Sequence, residues 1–178
     1  MKHLLRKHII VLFVLISASA YSQDSTKFII GGGIGGSYNK VTEEITYNNS
    51  IFEYTEKNLA LKGFFGFKIS KNKILGADFG LTYKDFFDDI TIQFHPFLRF
   101  MLKNNLFIHT SIGTDIFLSN YSSNTFVNLQ GGVGIGYDIK LTDNVSLQPL
   151  FKCSYITDSD LENYTVASSL SLDFVYKF

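Results

Sequence analysis

The chain has 178 residues, enough for one domain, with 16 basic and 16 acidic side chains, 18 Phe, 10 Tyr and no Trp. The balanced charge offers no basic excess with which to grip nucleic acid. Cys153 is the single cysteine, so no intramolecular disulfide can form.

The first 22 residues read as a cleaved secretory signal peptide. Lys2, Arg6 and Lys7 form a positive start, residues 9–16 an apolar core too short to span a bilayer, and Ala18-Ser19-Ala20 a small-residue cleavage site. Cleavage is expected after Ala20, with Ser22 as the alternative, leaving residues 23–178 as the mature domain. The leader takes three of the 16 basic residues and none of the acidic ones, so the remainder is slightly negative. Cys153 lies far from the leader, which excludes a lipidated N-terminal cysteine. After the leader no segment reaches the ~18 consecutive apolar residues a helical span needs. If the mature chain meets a membrane, it does so as β-structure.

From Phe28 onward, residues alternate between two faces with period two, the signature of strands with unlike environments on either side. The first run sets Phe28, Ile30, Gly32, Ile34, Gly36 and Tyr38 against Ile29, Gly31, Gly33, Gly35 and Ser37. An acidic section, 39–58, follows with its turn near Tyr47–Ile51. It still alternates, so this hairpin is expected to extend beyond any membrane. Seven further runs follow, starting near Leu59, Leu75, Ile90, Leu106, Val127, Val145 and Tyr164. Three connections are compact, 70–73, 103–105 and 141–144; the four between them, 39–58, 85–89, 119–124 and 157–163, are mostly longer. The last run places Leu170, Leu172, Phe174, Tyr176 and Phe178 on one face and Ser169, Ser171, Asp173, Val175 and Lys177 on the other.

Eight strands, each with one apolar face and roughly the ten residues a tilted strand needs to cross a bilayer, predict an all-β, eight-stranded antiparallel up-and-down transmembrane β-barrel. In lipid no sheet edge stays open, so the last strand must pair with Phe28–Tyr38. A soluble lipocalin-like barrel also alternates, with its apolar face inward, and periodicity alone does not separate the two. The small residues do. Gly31, Gly33, Gly35, Gly76, Gly80, Gly113, Gly132, Gly134 and Gly136 all lie on the polar face, as a crowded narrow interior requires. Aromatics such as Tyr38, Tyr83, Tyr137, Tyr155 and Tyr164 gather at strand ends on the apolar face, where interface girdles form.

From about Thr26 to Phe178 the chain resembles the small eight-stranded outer-membrane barrels of the OmpA/OmpX-like family. The resemblance implies residence in the outer membrane of a Gram-negative cell, in contact with its lipid. It also implies that the terminal pattern Leu170, Leu172, Phe174, Tyr176, Phe178 is read by the barrel-assembly machinery. It implies fold and location far more than activity.

Chemistry is sparse. Gly31-x-Gly33-x-x-Gly36 formally matches a dinucleotide fingerprint, but the glycines continue a strand and no helix follows. His109-x-Ser111 is similar to the His-x-Ser pair of some outer-membrane lipid A deacylases. It lies on the polar face, and no carboxylate follows at a spacing that would orient the histidine. No cluster has metal-ligand spacing, and no cofactor is implied. The polar-face charges Asp78, Arg99, Asp115, Lys152 and Asp173 are expected to form an interior network of ion pairs, because unpaired buried charge is expensive. Counting from the compact turns puts Asp78 level with Arg99 beside His109, and Lys152 opposite Asp173, with Lys62 midway along the second strand. In the 39–58 hairpin, Glu43, Glu44, Glu53 and Glu56 with Tyr47, Phe52 and Tyr54 offer an edge that a protein partner could extend. The leading expectation is a non-enzymatic membrane barrel with a structural or surface-interaction role; a lipid A-modifying enzyme and a narrow small-solute conduit are the alternatives.

Overall fold

The computed structural model describes residues 28–45, 50–84, 89–118, 125–157 and 164–178, with side chains described except at 41–45, 50–54, 84, 89, 125 and 126. Eight antiparallel strands make one sheet: β1 Phe28–Ile45, β2 Ser50–Ser70, β3 Lys73–Lys84, β4 Asp89–Met101, β5 Leu106–Leu118, β6 Thr125–Tyr137, β7 Val145–Thr157 and β8 Tyr164–Lys177. A two-residue segment, Ile139–Lys140, continues β6 past Asp138 and pairs with the start of β7. Each strand pairs with its sequence neighbours, and β1 pairs with β8 from Ile29↔Lys177 to Thr42↔Tyr164, so the sheet closes on itself. The expected barrel and its closing pair are both present.

The compact turns follow their local chemistry. Ser70 faces Lys73 across a two-residue connection after a register irregularity between Lys68 and Ser70. Asn104 and Asn105 adopt φ of 60° and 63°, left-handed backbone that asparagine tolerates better than other side chains. In the third turn Thr142 Oγ1 accepts hydrogen bonds from the amides of Asn144 (3.3 Å) and Val145 (3.0 Å). The first hairpin keeps its ladder well beyond the level of Tyr38, out to Ile45↔Ser50, as its alternation predicts.

Burial decides which face is out. On the apolar face Ile112 is 70% exposed and Leu170 63%, while on the polar face Arg99 is 1% and Asp173 0% exposed. A lipocalin-like arrangement would reverse these values. The exposed band of Leu, Ile, Val and Phe covers every strand and has no protein partner within the barrel, so hydrocarbon is the solvent that suits it. At the compact-turn end this band runs into an aromatic seam, where Phe28 contacts Phe67 (5.1 Å between ring centroids) and Phe178 (5.6 Å). Phe178 N also donates to Phe28 O at 3.0 Å across the β1/β8 closure.

The glycines are where the inside is tight. A Cβ added at Gly33 would collide with the Leu172 carbonyl and with Asp173, and one at Gly136 with the Phe107 ring, whereas one on outward-facing Gly131 would meet nothing within 4 Å. Inner faces made of Gly31, Gly33 and Gly35 on β1, and of Gly132, Gly134 and Gly136 on β6, leave space into which neighbouring side chains lean.

Candidate functional site

The interior has two layers. The layer nearest the compact turns is apolar, formed by Ile29, Phe64, Phe97 and Val175 with Ile74 packed against them. Arg99 penetrates it. Its guanidinium carbon lies 5.1, 5.2 and 4.5 Å from the rings of Phe64, Phe97 and Phe107, and Nη1 donates to Gln148 Oε1 at 2.6 Å. Gln148 Nε2 in turn donates to Asp138 Oδ1 (2.7 Å), and Asp138 Oδ2 pairs with Lys177 Nζ (2.6 Å) at the turn-side rim. Stacking on three rings compensates a cation taken from water by up to about 2 kcal/mol where the site is desolvated. This layer fills the lower lumen with side chains, as an eight-stranded barrel permits.

Above it lies a polar cavity of about 430 Å³, with Lys62, Asp78, His95, His109, Asp115 and Lys152 in its wall. Three contacts organise these charges. Lys62 Nζ sits 2.7 Å from Asp173 Oδ2, reaching from β2 to β8 across the glycines of β1. His95 Nε2 lies 2.7 Å from Asp115 Oδ1, and Gln93 Nε2 donates to Asp115 Oδ2 at 3.4 Å. His109 Nε2 lies 3.3 Å from Asp78 Oδ2, linking β5 to β3 over β4. Lys152 reaches over β6 instead and donates to Ser111 Oγ at 3.3 Å.

The five charges read from the sequence all face the lumen, but their partners differ from those that counting along strands suggests. Asp173 stands opposite Gln148, and Lys152 opposite Ser169, so the expected Lys152–Asp173 pair is replaced by Lys62–Asp173. Asp78 is opposite His95, while Arg99 is opposite Ile74, four residues nearer the compact turns. Arg99 therefore lies below Asp78 and takes rings and Gln148 as partners instead of a carboxylate. The physical reason is that hydrogen-bond register, here Lys73↔Phe100, sets depth, and bare glycine strands let long side chains meet two strands away. The orienting carboxylate missing from the neighbourhood of His109 in sequence is supplied by Asp78, 31 positions earlier. Sequence reading also missed the His95–Asp115 contact and the Gln148–Asp138–Lys177 chain; the latter sits on residues flanking a compact turn and the last strand, with no signal in spacing alone.

His109 and Ser111 do not form a hydrogen bond to one another among the described residues: His109 turns to Asp78, and Ser111 accepts from Lys152. Both face the lumen, and His109 stacks against Phe97 at 4.9 Å between ring centroids. A serine nucleophile needs the histidine at its own hydroxyl; this arrangement does not provide it. Of the hairpin residues, Glu56 is buried at the lumen wall, while the side chains of Glu43, Glu44, Phe52, Glu53 and Tyr54 and all of Tyr47 lie outside the described residues.

An apolar belt outside, a closed antiparallel ladder and a charged, densely filled inside define a transmembrane β-barrel of the small eight-stranded class. Comparison with solved structures agrees. The Neisserial surface protein A, NspA, is similar over 87% of this chain and 100% of its own, with a TM-score of 0.61 at 14% identity. The outer membrane protein AlkL, solved in lipid bilayers, is similar over 88% of this chain and 92% of its own, with a TM-score of 0.55 at 10% identity. Ail, the attachment invasion locus protein of Yersinia pestis, covers 85% of this chain and 99% of its own with a TM-score of 0.50 and 14% identity. No protein-family model and no curated protein sequence matches the chain.

Proposed function

We infer that this protein is an integral outer-membrane barrel of a Gram-negative cell that serves a structural or surface-interaction role and is not an enzyme. The observation that carries the reading is the first hairpin. Its ladder continues seven residue pairs past Tyr38↔Lys57; β8 covers the β1 edge as far as Thr42↔Tyr164, and the last three pairs, Glu43↔Phe52 to Ile45↔Ser50, rise roughly 10 Å further along the strands. Where it rises past β8 the ribbon offers strand edges that another chain can extend, a form in which a barrel meets a partner. Similarity in fold to proteins described as a surface protein and as an attachment locus product is consistent with this role.

The lipid-modifying alternative draws no support from His109 and Ser111, which face away from lipid: His109 sits beside Asp78, and Ser111 accepts from Lys152. The conduit alternative has to pass the Arg99–phenylalanine layer, where Phe107 and Arg99 are at most 1% exposed. An epitope inserted between residues 46 and 49 should be detected by antibody on intact cells, and a photo-crosslinker placed there should capture a discrete adduct. An inaccessible epitope, or accessibility with no adduct on any cell or matrix surface tested, would refute the interaction role. Lipid A acylation changed by His109→Ala with Ser111→Ala would return the enzymatic reading.

A further inference from the structure

The interior cavity has a donor and acceptor pattern that the ion pairs of the barrel do not use up. Of the two lumen cations without an ion pair among the described residues, Arg99 is held in the phenylalanine layer and Lys152 lines the cavity. Asp173 is taken by Lys62, Asp115 by His95 and Gln93, and Asp78 by His109. Lys152 forms no ion pair among the described residues; its Nζ has only the neutral Ser111 hydroxyl, at 3.3 Å. Across the lumen Lys152 is attracted by Asp78 and Asp115 and repelled by Lys62, none of them within ion-pair distance. An ammonium in that position gains most from an anion that arrives between the two amines.

Toward the long-connection end, the same cavity is walled by neutral amides and hydroxyls. Asn39 Oδ1, Asn58 Oδ1, Thr91 Oγ1 and Gln130 Oε1 are buried there without a hydrogen-bond partner among the described residues. These four groups come from β1, β2, β4 and β6, so they surround the cavity and do not line one side of it. A hydroxyl both donates and accepts, and so satisfies a buried amide in either of its orientations. The Lys152 Cε lies beside the bare Gly132 position, and Gln130 is two residues further along β6, a strand rise of roughly 7 Å between the two positions. The cavity volume of about 430 Å³ falls in the range that holds small ligands.

We propose that the lumen is a binding site for a small hydroxylated anion, its charged end held by Lys152 with Lys62 and Ser111, and its hydroxyls by Asn58, Gln130, Asn39 and Thr91. The Arg99–phenylalanine layer is the floor of this site, so the ligand enters and leaves by the long-connection end. Glucose 6-phosphate is a suitable probe because it joins both features in one small molecule, and glucose and inorganic phosphate each carry one.

The experiment is titration calorimetry on the folded full-length barrel in detergent micelles, with heat-modifiable gel mobility showing that each variant is folded. Wild type should bind glucose 6-phosphate more tightly than glucose or phosphate alone. Lys152→Gln should weaken that binding about tenfold or more, and Lys152→Arg should restore most of it. Gln130→Leu, which leaves the charges untouched, should weaken glucose 6-phosphate binding several-fold without altering the response to phosphate, and it carries the test if Lys152→Gln fails to fold. No binding of glucose 6-phosphate at millimolar concentration overturns the proposal. So does binding that is indifferent to both Lys152→Gln and Gln130→Leu, or equal affinity for phosphate and the sugar phosphate. The role of the external hairpin is unaffected by either outcome.

Discussion

Lys62→Met tests whether the lumen is stabilised by specific pairs or merely by polar filling. The substitution keeps a similar stem length and removes the ammonium 2.7 Å from Asp173 Oδ2. Asp173 is fully buried, and its contact with Lys62 crosses the β1/β8 closure of the barrel. Deleting one partner of a buried pair costs about 3–5 kcal/mol because the other charge is left behind. Lys62 retains 18% side-chain exposure toward the cavity, so water reaches the pair and the expected loss falls to about 2–3 kcal/mol. Urea titration in lipid vesicles, read by the mobility difference between folded and unfolded barrel, measures this loss. Asp173→Asn removes the stranded charge, so Lys62→Met with Asp173→Asn should be less destabilised than the sum of the single variants by about 1 kcal/mol or more. Strict additivity, or a loss below about 0.5 kcal/mol for Lys62→Met alone, would refute the pairing as a source of stability.

Glycine substitutions should split by face in the same urea assay. Gly136→Ala, driven into the Phe107 ring, should cost about 1–3 kcal/mol, whereas Gly131→Ala should be neutral or stabilising by up to about 1 kcal/mol. Leu170→Arg, in the lipid-facing belt, should cost about 2–4 kcal/mol in vesicles, and a loss near zero would place that residue outside hydrocarbon. Asn105→Val, forcing a β-branched side chain to φ near 63°, should cost about 1–2 kcal/mol, and Asn105→Gly should not. Equal effects of these two changes would show that the turn relaxes out of its left-handed backbone.

Alternation and turn chemistry are local, and for that reason most of the architecture was legible in the chain. Phe28–Tyr38 and Leu170–Phe178 each read as strands with one apolar face, and closure of the sheet required them to pair, as they do through Gly33↔Asp173 and Tyr38↔Ser168. The glycines on the polar face indicated which side was crowded, and the collisions a Cβ would make at Gly33 and Gly136 agree. The alternation of 103–105 and 141–144 with longer connections likewise follows from residues that favour tight turns.

Interior partners could not be read in the same way, because each depends on the stagger of strands around the closed ladder. Along the chain, Asp173 and Lys152 look matched and Asp78 and Arg99 look level. In the barrel, Lys62 crosses β1 to Asp173, His109 crosses β4 to Asp78, and Arg99 descends into three phenylalanine rings. The sequence by itself thus determined the strands, their two faces and the need for closure, all of which follow from a period of two and hydrogen-bonding demands. Only the tertiary structure decided depth: closure fixes which residues share a level, and bare glycine faces decide how far a side chain leans to meet its partner.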